Sequence, residues 1–117
     1  MTQGPVYGKY ALAQMNLGNM TTQCVADSIK WFPGAQKLDT MVLCLAGEVG
    51  EVANLVKKVI RGSITLEEAM DKGLAEEIVD VQIYLCNLMG LVEFDDIDWQ
   101  SIWNAKRAYN QARFGNE

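Results

Sequence analysis

Two segments decide the fold of this chain, LAGEVGEV at residues 45–52 and LAEEIVDV at residues 74–81. Each carries two acidic side chains three positions apart within an apolar pattern of helical period. Residues three apart are neighbours on the surface of a helix, so the two members of each pair can act together. Four carboxylates that converge without enough cations to neutralise them favour a hard metal ion, above all Mg²⁺, with Mn²⁺ as a substitute.

The positions of the two acidic pairs predict that their helices are antiparallel neighbours. Position 64 is the midpoint between Glu51 and Glu77, and it is also the midpoint between Glu48 and Asp80. A tight connection near Ile64 therefore places Glu51 opposite Glu77 and Glu48 opposite Asp80.

Turn and cap signals fall where this arrangement needs them. Residues 61–63, Arg-Gly-Ser, are predicted to end the first of the two helices. Thr65 and Glu68 have the spacing of a capping box that starts the second helix. Gly73 can split that helix and spoil the matched heights, so the helix is predicted to begin at Thr65 or at Gly73 and to run to about Val92.

The helix that carries Glu48 has a clear apolar stripe. Its members are Leu38, Met41, Val42, Leu45, Val49, Val52, Val56 and Val59. At about 100° per residue, Glu48 lies on the edge of this stripe and Glu51 lies about 60° further round. Gly47 and Gly50 bracket Glu48, and each costs about 1 kcal/mol relative to Ala inside a helix. That cost indicates close packing or close approach of a ligand.

The helix that carries Asp80 has two apolar faces. Leu74, Ile78, Val81, Leu85 and Met89 form one, and Val79, Ile83 and Cys86 form the other. Glu77, Asp80, Tyr84 and Asn87 lie on one flank between these faces. A helix that is apolar nearly all round is covered from more than one side. In so small a domain the second face is predicted to meet another subunit, in a homodimer or a dimer of dimers.

Two further helices are predicted near the ends of the chain. Thr21 or Thr22 can cap a helix that reaches about Phe32, where Pro33-Gly34 ends it. The acidic segment after Val92 can cap a last helix that reaches about Phe114, ahead of a glycine. The candidate caps of this last helix are Asp95, Asp96 and Asp98.

Composition narrows the class of protein. A length of 117 residues with 50% hydrophobic and 21% charged residues predicts one globular domain over residues 1–117. The pattern predicts an all-α fold of the four-helix-bundle type that is completed by dimerisation. A net charge of −5 without any basic run argues against nucleic-acid binding. The longest apolar run is too short to cross a bilayer, and neither a membrane segment nor a signal peptide is expected.

Cysteine and histidine usage narrows the chemistry. The chain has three widely spaced cysteines, which are interpreted as reduced core residues of a cytoplasmic protein. It has no histidine. His-based zinc sites, Ser-His or Cys-His catalysis and the Glu-x-x-His di-iron bundle are therefore excluded.

Residues 43–58 and 74–85 resemble the two metal-binding segments of the MazG-like all-α nucleoside triphosphate pyrophosphohydrolases. The pattern of that family is Glu-Glu-x-x-Glu followed, after a gap, by Glu-x-x-Asp. Here 25 residues separate Glu51 from Glu77, which lies within the range of the family. The resemblance covers roughly residues 31–91.

The resemblance implies Mg²⁺-dependent hydrolysis of a nucleoside triphosphate to the monophosphate and pyrophosphate. The metal-binding acids of the family map onto Glu48, Glu51, Glu77 and Asp80. Glu48 or Glu51 is expected to be catalytic, as the carboxylate that takes the proton of the attacking water. The chain has no P-loop, so metal and cationic side chains are expected to hold the phosphates.

Substrate contacts are expected on either side of the acidic residues. The base is expected to lie against Trp31, and the terminal phosphates are expected to reach toward Lys57 or Arg113. The family binds phosphates through late Asn and Lys residues, which Asn110-x-x-Arg113 resembles with Arg in place of Lys. The run Asn104-x-x-Arg107 is a rival alignment.

Two departures from the family pattern bear on function. Gly47 stands where the family often has its first Glu, which can reduce the number of metals held. Asn54 stands where many members have Asp, which can alter a contact near the phosphates. The alternative function is therefore a non-catalytic α-helical dimeric interaction module, in which the acids form only a polar seam.

Overall fold

The computed structural model describes residues 16–92 and 98–115, and every regular element in these two ranges is an α-helix. The five helices are α1 (Leu17–Trp31), α2 (Leu38–Ile60), α3 (Leu66–Asp71), α4 (Leu74–Val92) and α5 (Trp99–Phe114). The all-α prediction is confirmed. No helix in the described part of the chain is both long enough and apolar enough to cross a membrane.

Helix α1 begins earlier than the sequence predicted. Its N-cap is Asn16, whose side-chain oxygen accepts a hydrogen bond of 2.8 Å from the backbone N–H of Asn19. The prediction of a cap at Thr21 or Thr22 was wrong, because Asn16 already satisfies the first turn and both threonines lie inside the helix. The C-terminus is close to the prediction, since the helix ends at Trp31.

The connection between α2 and α4 follows the predicted turn signals. Gly62 has a φ of +78°, and the N–H of Ser63 donates to the carbonyl of Lys58 at 2.9 Å, which closes the end of α2. Thr65 and Glu68 form the predicted capping box, with both hydrogen bonds at 3.0 Å. Gly73 has a φ of +99° and separates α3 from α4. The sequence allowed the second helix to begin at Thr65 or at Gly73, and the structure divides it at Gly73.

Helix α4 is the centre of the packing. It lies against α1 on one side and α2 on the other, while α3 packs on both α2 and α4. The buried apolar side chains of the described residues are Met41, Ala69, Leu74 and Cys86. Helix α5 is capped by Asp98, one of the predicted caps, and it contacts α1 without burying any of its own residues.

The apolar stripe of α2 is divided between two directions. Met41 is buried and Leu45, Val52 and Val59 are half-buried, whereas Leu38, Val42, Val49 and Val56 are exposed. Glu48 is half-buried on the side of the helix that faces α4. The inward face of α2 therefore includes this carboxylate, and half of the stripe faces away from the rest of the described chain.

The second apolar face of α4 is only partly free. Val79 and Ile83 are exposed, but Cys86 is fully buried. The assignment of Cys86 to a face that meets another subunit was wrong, because α1 of the same chain covers it near Cys24. The three cysteines are free thiols.

Candidate metal centre and adjoining pocket

Three of the four predicted carboxylates meet between α2 and α4. One carboxylate oxygen from each of Glu48, Glu77 and Asp80 lies within 4.8 Å of the other two. All three side chains are half-buried. Glu77 and Asp80 are presented together because they are three residues apart on the first two turns of α4. We call Glu48, Glu77 and Asp80 the acidic cluster.

Glu51 lies outside the acidic cluster and is exposed. The predicted pairing of Glu48 with Asp80 is present. Glu77, which was predicted to lie opposite Glu51, lies in the acidic cluster with Glu48 instead. The reason is rotational. When Glu48 points at α4, a residue three positions further along α2 is turned about 60° away from that direction.

The acidic cluster is electrostatically uncompensated. Partial burial raises the pKa of Glu48 above its ordinary value, and the charge of Asp80, a hydrogen bond with Glu77 and the charges of Glu77 and Glu51 raise it further. The charges that raise the pKa of Glu48 are therefore all carboxylates, from Asp80, Glu77 and Glu51.

The donor set fits a divalent cation. Hard cations such as Mg²⁺ prefer carboxylate oxygens and bind through one or a few of them, with water and substrate oxygens completing the coordination. Within the described chain, a cation would relieve the repulsion that raises the pKa of Glu48. The residues present therefore suit such an ion.

Tyr84 connects the acidic cluster to the space beside it. Burial raises the pKa of its hydroxyl, and the neighbouring Cys44, Glu48 and Asp80 raise it further. The phenol consequently keeps its proton at neutral pH and can act as a donor. Tyr84 follows Asp80 by four residues, which is why it lies one turn along the same side of α4.

A pocket of about 510 Å³ lies next to the acidic cluster, between α1, α2 and α4. Its walls include the apolar side chains of Trp31, Phe32, Met41 and Ile83. Asp80 belongs both to the acidic cluster and to the lining of the pocket. A small molecule can therefore occupy the pocket while its charged end reaches the carboxylates.

The predicted substrate residues are distributed unevenly. Trp31 lines the pocket, although its side chain is 61% exposed. Lys57 is exposed near the end of α2, and neither it nor Asn110 nor Arg113 lines the pocket. Arg113 instead lies over the rings of its neighbours on α5, with its guanidinium carbon 4.6 Å from the centroid of Phe114.

Tyr84 and Asn87 line the pocket, although the sequence did not predict them as site residues. The helical period places both on the flank of α4 that also holds Glu77 and Asp80. Their role was missed because it depends on α1. No periodicity within α4 indicates that α1 closes this flank into a pocket.

Comparison of the chain with models of protein families, with curated proteins and with solved structures gave no match. The chemistry of the site is therefore inferred from its own geometry. The acidic cluster can hold a divalent cation, and the adjoining pocket can hold a flat, largely apolar group. Together they suit a molecule that combines an anionic chain with a ring.

Proposed function

We propose that this protein is a Mg²⁺-dependent nucleoside triphosphate pyrophosphohydrolase, which produces a nucleoside monophosphate and pyrophosphate. The observation that carries the proposal is the shared position of Asp80, which lines the pocket and belongs to the acidic cluster. A nucleotide has the matching shape, with a base for the pocket and phosphates for a cation. The resemblance of residues 43–58 and 74–85 to the MazG-like enzymes supports the same reaction.

The residues of the chain take separate roles in this proposal. Glu48, Glu77 and Asp80 are the metal ligands, with Glu51 near enough to add negative charge at Glu48. Mg²⁺ bound there would screen the charge of the triphosphate and lower the pKa of a bound water.

The position of Glu48 suits the transfer of a proton. Glu48 belongs to the acidic cluster that would hold the metal, so it is the better placed of the two catalytic candidates to take a proton from a water beside that metal. Glu51 is exposed and lies outside the acidic cluster. Substitution of Glu48 by Gln should therefore lower turnover more than substitution of Glu51 by Gln.

The phosphate contacts of the proposal rest on the family resemblance. Lys57, Asn110 and Arg113 do not line the pocket of the single chain. Asn110 and Arg113 belong to α5, which contacts α1 and buries none of its own residues. These residues are proposed to meet the terminal phosphates in an assembly of chains, because the described chain does not bring them to the acidic cluster.

An oligomer is part of the proposal, as a four-helix bundle completed by dimerisation or as a dimer of dimers. Exposed apolar side chains support it on three helices: Val42, Leu43, Val49 and Ile60 on α2, Ile78, Val79 and Ile83 on α4, and Ile102, Trp103 and Phe114 on α5. Light scattering at micromolar concentration should show at least a dimer. A well-folded, active monomer of 13.0 kDa would contradict this part of the proposal. The free thiols fit a reducing, cytoplasmic setting.

Hydrolysis in ¹⁸O-labelled water tests the reaction. With Mg²⁺ present, attack at the α-phosphorus puts the label into the monophosphate, and pyrophosphate leaves unlabelled. Label found only in pyrophosphate would indicate attack at the β-phosphorus. Free phosphate as the primary product would exclude this reaction. No turnover of any nucleoside triphosphate would overturn the proposal in favour of a non-catalytic module.

A further inference from the structure

Asn87 is a buried polar side chain that lacks a hydrogen-bond partner within the described residues. Its side chain is only 5% exposed, yet it lines the pocket. The fully enclosed, unpartnered polar side-chain atoms of the described residues belong to Thr21 and Trp99. Asn87 is not among these residues, and it lines the pocket. A buried polar group of this kind is costly unless a ligand or water satisfies it.

The other polar side chains that line the pocket on α1 and α2 already have partners. The carboxylate of Asp27 accepts a hydrogen bond from Gln23 at 3.1 Å. The hydroxyl of Ser28 accepts one from Gln36 at 2.9 Å. The hydroxyl of Thr40 is 3.4 Å from the carboxylate of Asp39.

Two other polar residues of α4 line the pocket nearer the acidic cluster. Asp80 belongs to that cluster, and Tyr84 follows it by one turn, beside Cys44. Asn87 is thus a polar side chain of the lining that lies away from the acidic cluster and has no hydrogen bond to another described residue.

Asn87 lies at a definite distance from the acidic cluster. It is seven residues beyond Asp80 on the same helix, which corresponds to about 10.5 Å along the axis. Tyr84 and Ile83 line the pocket between these two positions, so the pocket is continuous from the carboxylates to the amide. This separation is comparable with the distance from the α-phosphate of a nucleotide to the outer edge of its base.

We propose that Asn87 determines base recognition, by donating to and accepting from the outer edge of a nucleobase that lies between Trp31 and Met41. This inference rests on the proposed function, because it needs a nucleotide whose phosphates are held at Asp80. A carboxamide offers one acceptor and two donors, so it pairs with a ring edge that carries a donor beside an acceptor. The natural bases carry such an edge.

Calorimetry with two matched ligands tests the inference on the full-length protein with Mg²⁺. One ligand is thymidine triphosphate with a methylene bridge between the α- and β-phosphorus. The other has the same sugar and phosphates but carries difluorotoluene, which has the shape of thymine without its hydrogen-bonding edge. We expect the thymidine analogue to bind about 10- to 100-fold more tightly, as one bidentate amide pair would give.

The variants separate base recognition from general binding. In Asn87→Leu the ratio of the two binding affinities should fall toward one, because the thymidine analogue loses affinity while the difluorotoluene analogue keeps it. Asn19→Leu makes the same change at an exposed site on α1 that does not line the pocket, and it should keep the full preference. Equal binding of both ligands by the unmodified protein would overturn the role of Asn87 but would leave the proposed function standing. This outcome can be measured even if Asn87→Leu fails to fold. Failure of both ligands to bind would overturn the proposed function as well.

Discussion

The two interfaces of α4 are built from different kinds of residue. Toward α2 it presents Glu77 and Asp80, which meet Glu48 without a neutralising charge from the described residues. Toward α1 it presents Cys86, which is fully buried beside Cys24, and Gly90, where an added Cβ would clash with the side chain of Val25. One helix thus carries a repulsive interface and a closely packed one.

This difference separates residues that set function from residues that set stability. Sequences usually agree with their folds at every level, and conflicts concentrate at functional sites. Three half-buried carboxylates are such a conflict, whereas the contact of Gly90 with α1 is ordinary close packing. Substitutions on the two sides of α4 should therefore change different measured quantities.

The largest expected effect is on activity at the acidic cluster. Asp80→Asn should lower kcat/KM at least about a hundredfold, which corresponds to about 2.7 kcal/mol of lost transition-state stabilisation. The fold should remain, and the metal-free variant should be no less stable, because one of the repelling charges is gone. Pyrophosphate release and urea unfolding measure the two quantities.

Glu76 supplies the matched control on the same turn of α4. It lies beside Glu77 but outside the acidic cluster, so Glu76→Gln should keep near-normal turnover. If Asp80→Asn also kept near-normal turnover, the acidic cluster would not be the catalytic centre.

The second effect tests the closely packed side. Gly90→Ala places a methyl group against Val25, whose branched side chain moves little. Overpacking costs about 1–3 kcal/mol, and the better helix propensity of Ala returns about 1 kcal/mol of that. The free energy of unfolding should therefore fall, as urea denaturation would measure. An unchanged or raised value would mean that α1 and α4 adjust without strain.

The third effect has the opposite sign and arises on α2. The sequence indicated that Gly47 and Gly50 serve close packing or ligand approach, but a Cβ added at either meets nothing within 4 Å among the described residues. Packing among those residues therefore does not explain them. Gly50→Ala should raise the free energy of unfolding by up to about 1 kcal/mol. A loss of stability would show that this surface is covered by another chain or by a ligand.

Local signals predicted the helices of this protein better than the contacts between them. The sequence predicted the C-terminus of α2 from Gly62 and the N-terminus of α3 from the capping box at Thr65. A few neighbouring residues determine each of these helix ends. The start of α1 was placed too late, because Thr21 and Thr22 are also capping residue types, whereas Asn16 caps the helix and both threonines lie inside it. The sequence indicated that Gly73 could divide the second helix, but it did not decide between a start at Thr65 and a start at Gly73.

The candidate site was predictable only in part, because its residues come from three helices. The spacing of the two acidic pairs predicted that Glu48 and Asp80 meet, and they do. The wide apolar stripe of α2 does not reveal which half turns inward, and that rotation decides that Glu51 is exposed. The pocket that Asn87 lines depends on the placement of α1, which no pattern within α4 contains.

The smallest expected effect is the pH dependence of stability in metal-free protein. The pKa of Glu48 is raised in the folded state, so the folded chain binds more protons than the unfolded chain at pH values just above the ordinary glutamate value of 4.5. Below that value the folded and unfolded states are both protonated at Glu48, and no stability is lost there. As the pH rises through the folded-state pKa, the folded chain must place another negative charge in the acidic cluster, so the free energy of unfolding should fall.

Two other acids act in the opposite direction at lower pH, which fixes the range for the measurement. Hydrogen bonds from Thr65 lower the pKa of Glu68, and those from Ser101 lower the pKa of Asp98. Their stabilisation is present at neutral pH and is lost as the pH falls through their folded-state values. Urea unfolding between about pH 4.5 and 7 therefore isolates the contribution of Glu48.

Glu48→Gln should remove the decline in the free energy of unfolding over this pH range. Saturating Mg²⁺ should reduce the decline, because a bound cation offsets the repulsion. A decline of the same size in Glu48→Gln would show that the repulsion at the acidic cluster is already relieved without metal, and the contrast between the two faces of α4 would then lose its electrostatic basis.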